Sequence, residues 1–237
     1  MPRRKGNKIQ EVKGAGSKLL SYALKRGAIF LIVYVLILFP LAGTIRYWQG
    51  WALIAVIAIP TLIVGLVLLK VEREVLADLV SARERGFGTA SVPTVSYVMA
   101  IAVLFAAGLS YRGSFLMISG FISFFGLFFA VISFGLLFEA VREDSIRSEI
   151  FNTIATGKLD GAGLHGRVRH PIHFAVHMML LSMGLVLGSI VACLVALVYP
   201  LVVAPSIISK EKQLEREDAW FRYYKTKVKY RMIPKVW

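Results

Sequence analysis

One cysteine, four histidines and 14 acidic residues are few for a chain of 237 residues. Each scarcity removes a class of protein. The lone thiol, Cys193, lies inside an apolar run, so no intramolecular disulfide can form and the residue packs against lipid or core. All four histidines fall between positions 165 and 177, and no His-Glu-x-x-His occurs, which leaves membrane desaturase and site-specific protease chemistry without a motif. Basic residues outnumber acidic ones 28 to 14, yet they nowhere interleave with aromatics on a polar stretch as a platform for single-stranded nucleic acid requires. A nucleic-acid partner is therefore not expected, despite the net charge of +14. No internal repeat is present.

What the chain has in quantity is apolar residues, at 57% of the total against 18% charged. A helix needs about 20 mostly apolar residues to cross the hydrocarbon core of a bilayer. Runs at 27–45, 51–69, 94–111 and 114–138 qualify, the last two joined only by Arg112 and Gly113. The first is too long for a signal-peptide core and reads as a retained helix. Tyr47 and Trp48 fall in the turn after it, where interfacial aromatics belong. A block at 172–208 is twice a single span and breaks near Gly188 and Ser189, so it reads as a helical hairpin. The expected fold is all-α, a polytopic membrane bundle of about six helices, divided into a basic tail at 1–26, four spans within 27–138 and a C-terminal region at 139–237.

Lys and Arg test this topology, because cytosolic loops hold their excess. With six crossings, one side receives 26 of the 28 and the other only Arg46 and Arg112. Both termini are thus expected in the cytosol. The tail at 1–26 either lies along an anionic leaflet or acts only as a topology determinant.

The polar stretch at 139–169 and the tail after 208 bracket the hairpin, so they emerge together on the cytosolic side. Glu139, Arg142, Glu143, Asp144, Arg147 and Glu149 recur at helical intervals and read as a solvated, salt-bridged extension of the fourth span, with a lining role for Glu139 as the alternative. Gly163-Leu164-His165-Gly166-Arg167-Val168-Arg169-His170-Pro171 then runs directly into an apolar helix. Pro171 suits the first helical position, and the free N–H groups of that turn can hold an anion, with Arg167 and Arg169 adding forked hydrogen bonds. The alternative is that these cations are ordinary membrane anchors. His170, His173 and His177 share one helical face at a spacing that can bind a metal, but carboxylate or further histidine partners are missing, so no metal is expected. His177 reads as a hydrogen-bonded residue facing the bundle interior. Tyr223, Tyr230 and Trp237 read as interface anchors.

Arg169-His170-Pro171-Ile172-His173-Phe174-Ala175 resembles the Arg-His-Pro-x-Tyr-x-Gly motif of the isoprenylcysteine carboxyl methyltransferase and phospholipid methyltransferase superfamily. Downstream, Glu211-x-x-Leu214 and then Phe221-x-x-Tyr224-x-x-x-Val228-x-x-Arg231-x-Ile233-Pro234 is similar to that superfamily's C-terminal signature. The likeness covers about 139–237. It implies an S-adenosylmethionine-dependent methyltransferase acting on a lipid-like or prenylated acceptor. Gly163, His165, Arg167, His170, Pro171, His173, Glu211 and Leu214 would bind the cofactor, and Arg169 and Glu211 would support catalysis. The chain departs from the pattern at Lys210, where the first glutamate of a family pair is usual, at His173 for the motif tyrosine, at Ala175 for the motif glycine, and at His165 for a tyrosine in the lead-in. Those departures leave a non-catalytic membrane scaffold or carrier as an alternative. A sterol-reductase-like enzyme using a reduced nicotinamide cofactor is another with the same architecture.

Overall fold

The computed structural model describes residues 25, 27–71, 91–153, 163–217 and 219–237, and within them regular structure is helical apart from one isolated β-bridge. The expectations for the tail at 1–24 and the charged loop at 72–90 lie outside the described residues, as does the segment at 154–162. In chain order the helices are α1 (Gly27–Ala42), α2 (Trp48–Val71), α3 (Ser91–Gly113), α4 (Gly120–Thr153), α5 (Pro171–Val186), α6 (Ile190–Leu197), α7 (Tyr199–Glu217) and α8 (Ala219–Lys227). Apolar runs take this form because a bilayer offers no partner for a bare N–H or C=O, and a helix satisfies both internally.

Three helical stretches, Thr94–Gly113, Gly120–Glu143 and Ile190–Glu217, are long and apolar enough to cross a membrane by length and composition, which marks the chain as a membrane protein. Gly27–Ala42, Trp48–Ile63 and Pro171–Val186 are shorter apolar helices. The outer surface agrees: Phe121, Phe124, Phe125, Phe128 and Phe129 on α4 are all half exposed or more. A soluble protein would bury such a patch, whereas lipid accepts it.

The core lies where α1, α3, α5 and α6 meet, around Leu38, Val103, Leu104, Val186, Leu187 and Ala196. α4 packs along α5 at very close range. A Cβ on Gly126 would stand 2.5 Å from the Val186 nitrogen and 2.8 Å from the Leu185 carbonyl carbon. Only glycine allows that approach.

Two connections differ from the sequence expectation. The fourth helix begins at Gly120, not at 114, because Ser114 and Leu116 adopt left-handed backbone (φ 51° and 50°) that ends helical geometry. The freed segment becomes a clasp. Met117 pairs antiparallel with Ser189, the Ile118 N–H donates to the Gly188 carbonyl at 2.7 Å, and the Ile190 N–H donates to Leu116 at 3.0 Å. Tyr47, expected at the interface, is instead fully buried beneath this clasp. Its ring stacks on Tyr111 at 3.9 Å and its hydroxyl donates to the Leu187 carbonyl.

The hairpin turns at Gly188 and Ser189 as expected, with Ser189 Oγ accepting from the Ala192 N–H at 3.1 Å to cap α6. A second interruption, at Val198, was not anticipated. Pro200 explains it, since proline has no N–H to offer the carbonyl of Ala196 four residues earlier.

The glycine contacts generate a paired prediction. Gly126→Ala forces backbone against backbone and should cost about 1–3 kcal/mol. Gly135→Ala, on the same helix with nothing within 4 Å of the added methyl, should leave stability unchanged or slightly raised. Thermal unfolding of the two variants in detergent checks the contrast.

Candidate functional site

The turn entering α5 is held by two carboxylates that come from opposite directions. The first is Glu143, on the polar extension of α4. Its oxygens accept from the Leu164 N–H at 3.0 and 3.1 Å and from the His165 N–H at 3.2 Å, and Oε2 lies 2.9 Å from His165 Nδ1. Gly163, at φ +68°, turns these N–H groups toward one point. A Cβ at this position would come within 1.9 Å of Glu143 Oε1, so the concavity is sized for glycine and a carboxylate. Helical continuation of the fourth span past 138 agrees with the sequence, as does the Glu139–Arg142 ion pair at 2.9 Å. Glu143 differs from Glu139 and Arg142: its carboxylate organises the loop instead of lying on a solvated face.

The second carboxylate, Glu211 on α7, is 1% exposed and receives three bases at once. Arg169 forks onto it, with Nε 2.7 Å from Oε1 and Nη2 3.2 Å from Oε2. Arg231 Nε donates to Oε2 at 2.9 Å, and His170 Nε2 lies 3.1 Å from Oε1. Forked, charge-assisted pairs of this kind are the strong ones. The remaining donor of Arg169, Nη1, reaches the carbonyls of Val228 at 2.8 Å and Lys229 at 3.2 Å. Backbone bonds run parallel to these: the Arg169 N–H donates to Tyr230 and the His170 N–H to Arg231. The C-terminal segment is thereby fastened across the mouth of α5. Tyr224 on α8 adds a hydroxyl bond to the His165 carbonyl at 2.7 Å.

Below this face, polar groups continue between the helices. His173 Nδ1 lies 2.9 Å from the Tyr199 hydroxyl, which lies 3.3 Å from Ser96 Oγ on α3. One turn deeper, His177 lays its ring parallel to Tyr199, with centroids 6.2 Å apart.

Of the residues marked in the sequence, Arg169, His170 and Glu211 meet directly, and His173 follows beneath His170 with ring centroids 6.2 Å apart. Arg169 and Glu211, which the resemblance assigns to a shared site, bond directly to each other. His165 and Gly163 belong to the Glu143 end of the loop, Pro171 opens α5, and Arg167 is exposed. Leu214 lies elsewhere, packed with Phe221, Tyr224 and Val228 beneath α8. Lys210 is exposed beside the cluster, and Ala175 is fully buried. Tyr223 and Tyr230 are exposed, while Trp237 is partly buried against the core and under the Arg231 guanidinium at 5.7 Å. Sequence reasoning missed Glu143 and Tyr199. Tyr199-Pro200 in the middle of an apolar block was the available signal for the second. Among the described residues no group of three His, Cys, Asp or Glu side chains is arranged to hold a metal. Compared with protein-family models, with curated proteins and with solved structures, the chain matches none.

The Arg169 and Glu211 side chains are 4% and 2% exposed, so removing one strands the other's charge. Glu211→Ala should cost about 3–5 kcal/mol. Limited proteolysis should then cut first near 228–231, where the C-terminal segment loses its anchor. A Glu143→Ala change leaves Glu211 in place and should spare that segment.

Proposed function

We propose that this chain is a six-span membrane enzyme, with both termini in the cytosol, that transfers a methyl group from S-adenosylmethionine to a lipid-like or prenylated acceptor. The observation that carries the reading is the contact between the two resembling strings. His170 and Glu211, 41 residues apart, stand 3.1 Å from each other at one end of the bundle. The distribution of Lys and Arg supports that end as the cytosolic one.

The donor set suits an amino-acid-bearing cofactor in kind. Glu211 offers a carboxylate for an ammonium group, while Arg231, Arg167 and His165 offer donors for a carboxylate. When bound, such a cofactor supplies an electrophilic sulfonium methyl. The protein's own work is then to bind, align and exclude water. In the present arrangement Arg169 and Glu211 spend their bonds on each other, so ligand entry means exchange of partners within the cluster. His170 and Arg231, with side chains 14% and 30% exposed, are its members closest to solvent. Gly163, Pro171 and His173 fit backbone and helix-mouth roles around the same point, and Leu214 fits a supporting role under α8.

A second reading, a non-catalytic scaffold or carrier, draws on the same closed cluster and on Lys210, which is exposed where the resembling family has an acid. Calorimetry separates the two. Purified protein titrated with S-adenosylmethionine or S-adenosylhomocysteine should give saturable heat, weakened about tenfold or more, or about 1.4 kcal/mol, by His170→Ala. Absence of heat at millimolar ligand overturns the methyltransferase reading. If the triple change Lys210→Glu, His173→Tyr and Ala175→Gly also fails to create affinity, the carrier stands.

A further inference from the structure

Beside the clasp, two enclosed polar side chains are left unmatched. Ser123 on α4 is 0% exposed and Gln49 on α2 is 7% exposed, and neither Ser123 Oγ nor Gln49 Oε1 has a hydrogen-bond partner among the described residues. Buried polar groups are ordinarily paired, since each gives up its hydration on entering the interior. Ser123 also forgoes an easy partner. Ten residues along the same helix, Ser133 Oγ donates to the carbonyl four positions back, that of Phe129, at 2.7 Å. The equivalent carbonyl for Ser123 is that of Ser119, which accepts the Ile122 N–H at 2.9 Å but not the Ser123 hydroxyl.

Gly188 shows where both side chains converge. A Cβ built on it would find, as its nearest neighbours outside the turn, the Ile118 carbonyl oxygen and Ser123 Oγ at 3.5 Å and Gln49 Nε2 at 3.7 Å. All three atoms are polar, and they come from the clasp, α4 and α2 in turn. Other glycines of the bundle serve close packing: added Cβ atoms at Gly50, Gly108, Gly126 and Gly184 would meet neighbours at 2.8, 2.7, 2.5 and 2.8 Å. At Gly188 the neighbours stand back by the radius of a small group. Its φ of +65° keeps the position for glycine, so no side chain of its own takes that place.

A body that fits here is about one heavy atom in size and meets a hydroxyl, an amide and a carbonyl. None of the three is charged, which disfavours an ion. A buried water needs roughly two to four polar partners, and three are at hand. Water both donates and accepts, so it suits a hydroxyl and either end of an amide alike. From the convergence of Ser123, Gln49 and the Ile118 carbonyl on the side-chain position of Gly188, we infer that this pole of the bundle binds a single buried water that bridges α2, α4 and the clasp. The water gives Ser123 Oγ and the Gln49 amide the partners that the chain withholds. It stands next to the Tyr47 bond to the Leu187 carbonyl and extends the same polar contacts to α4. The site is independent of the chemistry proposed at the Glu211 end.

The sign of a mutational effect tests this. Full-length protein in detergent is compared with Ser123→Ala, Gln49→Met and the double variant by thermal unfolding. With the water in place, each single change removes a bonded group and should lower Tm by about 2–4 °C. The double change should lower it by less than the two losses added, because both side chains share one water. A hydroxyl with no partner is a burden, so a Tm that rises or stays level in Ser123→Ala overturns the site, as do losses that simply add. A second measurement needs no variant to fold. In wild-type protein labelled with 13C-glycine, the α-protons of Gly188 should show a cross-relaxation peak to a long-lived water. A missing peak at Gly188, with peaks present at solvent-exposed glycines as the control, overturns the inference.

Discussion

One buried carboxylate holds one end of this bundle together. Glu211 carries a single negative charge into a place 1% exposed and gathers two guanidiniums and an imidazole around it. Desolvating so many charges is expensive, and the arrangement persists because nearly every donor is matched, including the third arm of Arg169 on the Val228 and Lys229 carbonyls. The result ties four separate stretches of chain: the turn before α5, the end of α7, α8 through Tyr224, and the residues that follow it. Remove the charge and these lose their common reference point.

The broad plan was legible in the residues because lipid is an exacting solvent. Every apolar run long enough to matter became a helix, and Gly188 with Ser189 marked the hairpin turn where expected. Chemistry at the helix ends was harder to read. Tyr47 looked like an interfacial anchor since it follows an apolar run, and only tertiary structure shows the Leu187 carbonyl that draws its hydroxyl inward. Ser114–Ser119 looked helical by composition, yet pairing with 188–190 competes successfully for that backbone. Leu214 shared a string with residues around Glu211, but three residues along α7 turn it onto the apolar underside of α8.

The candidate site divides in the same way. Proximity of Arg169, His170 and Glu211 could be anticipated, because the hairpin returns the chain to the side it left. Their mutual saturation could not, since bond partners depend on side-chain geometry that no spacing encodes. Glu143 is the clearest case. Among several charges at helical intervals it looked interchangeable, but it is the one that, among the described side chains, meets the N–H groups presented by Gly163 and its successors. Likewise His177 read as a hydrogen-bonded interior histidine; it is buried as expected, yet its Nδ1 has no hydrogen-bond partner among the described residues.

The clasp between Met117 and Ser189 has a mechanical meaning. It crosslinks the α3–α4 turn to the α5–α6 turn by paired backbone bonds, with Ser110 and Ser189 joined at 2.9 Å alongside. Helices pinned at one tip can separate only at the other, as the legs of a compass do. Any opening of the bundle is therefore to be sought at the end that carries Glu211, while the clasped pole serves as a fixed pivot.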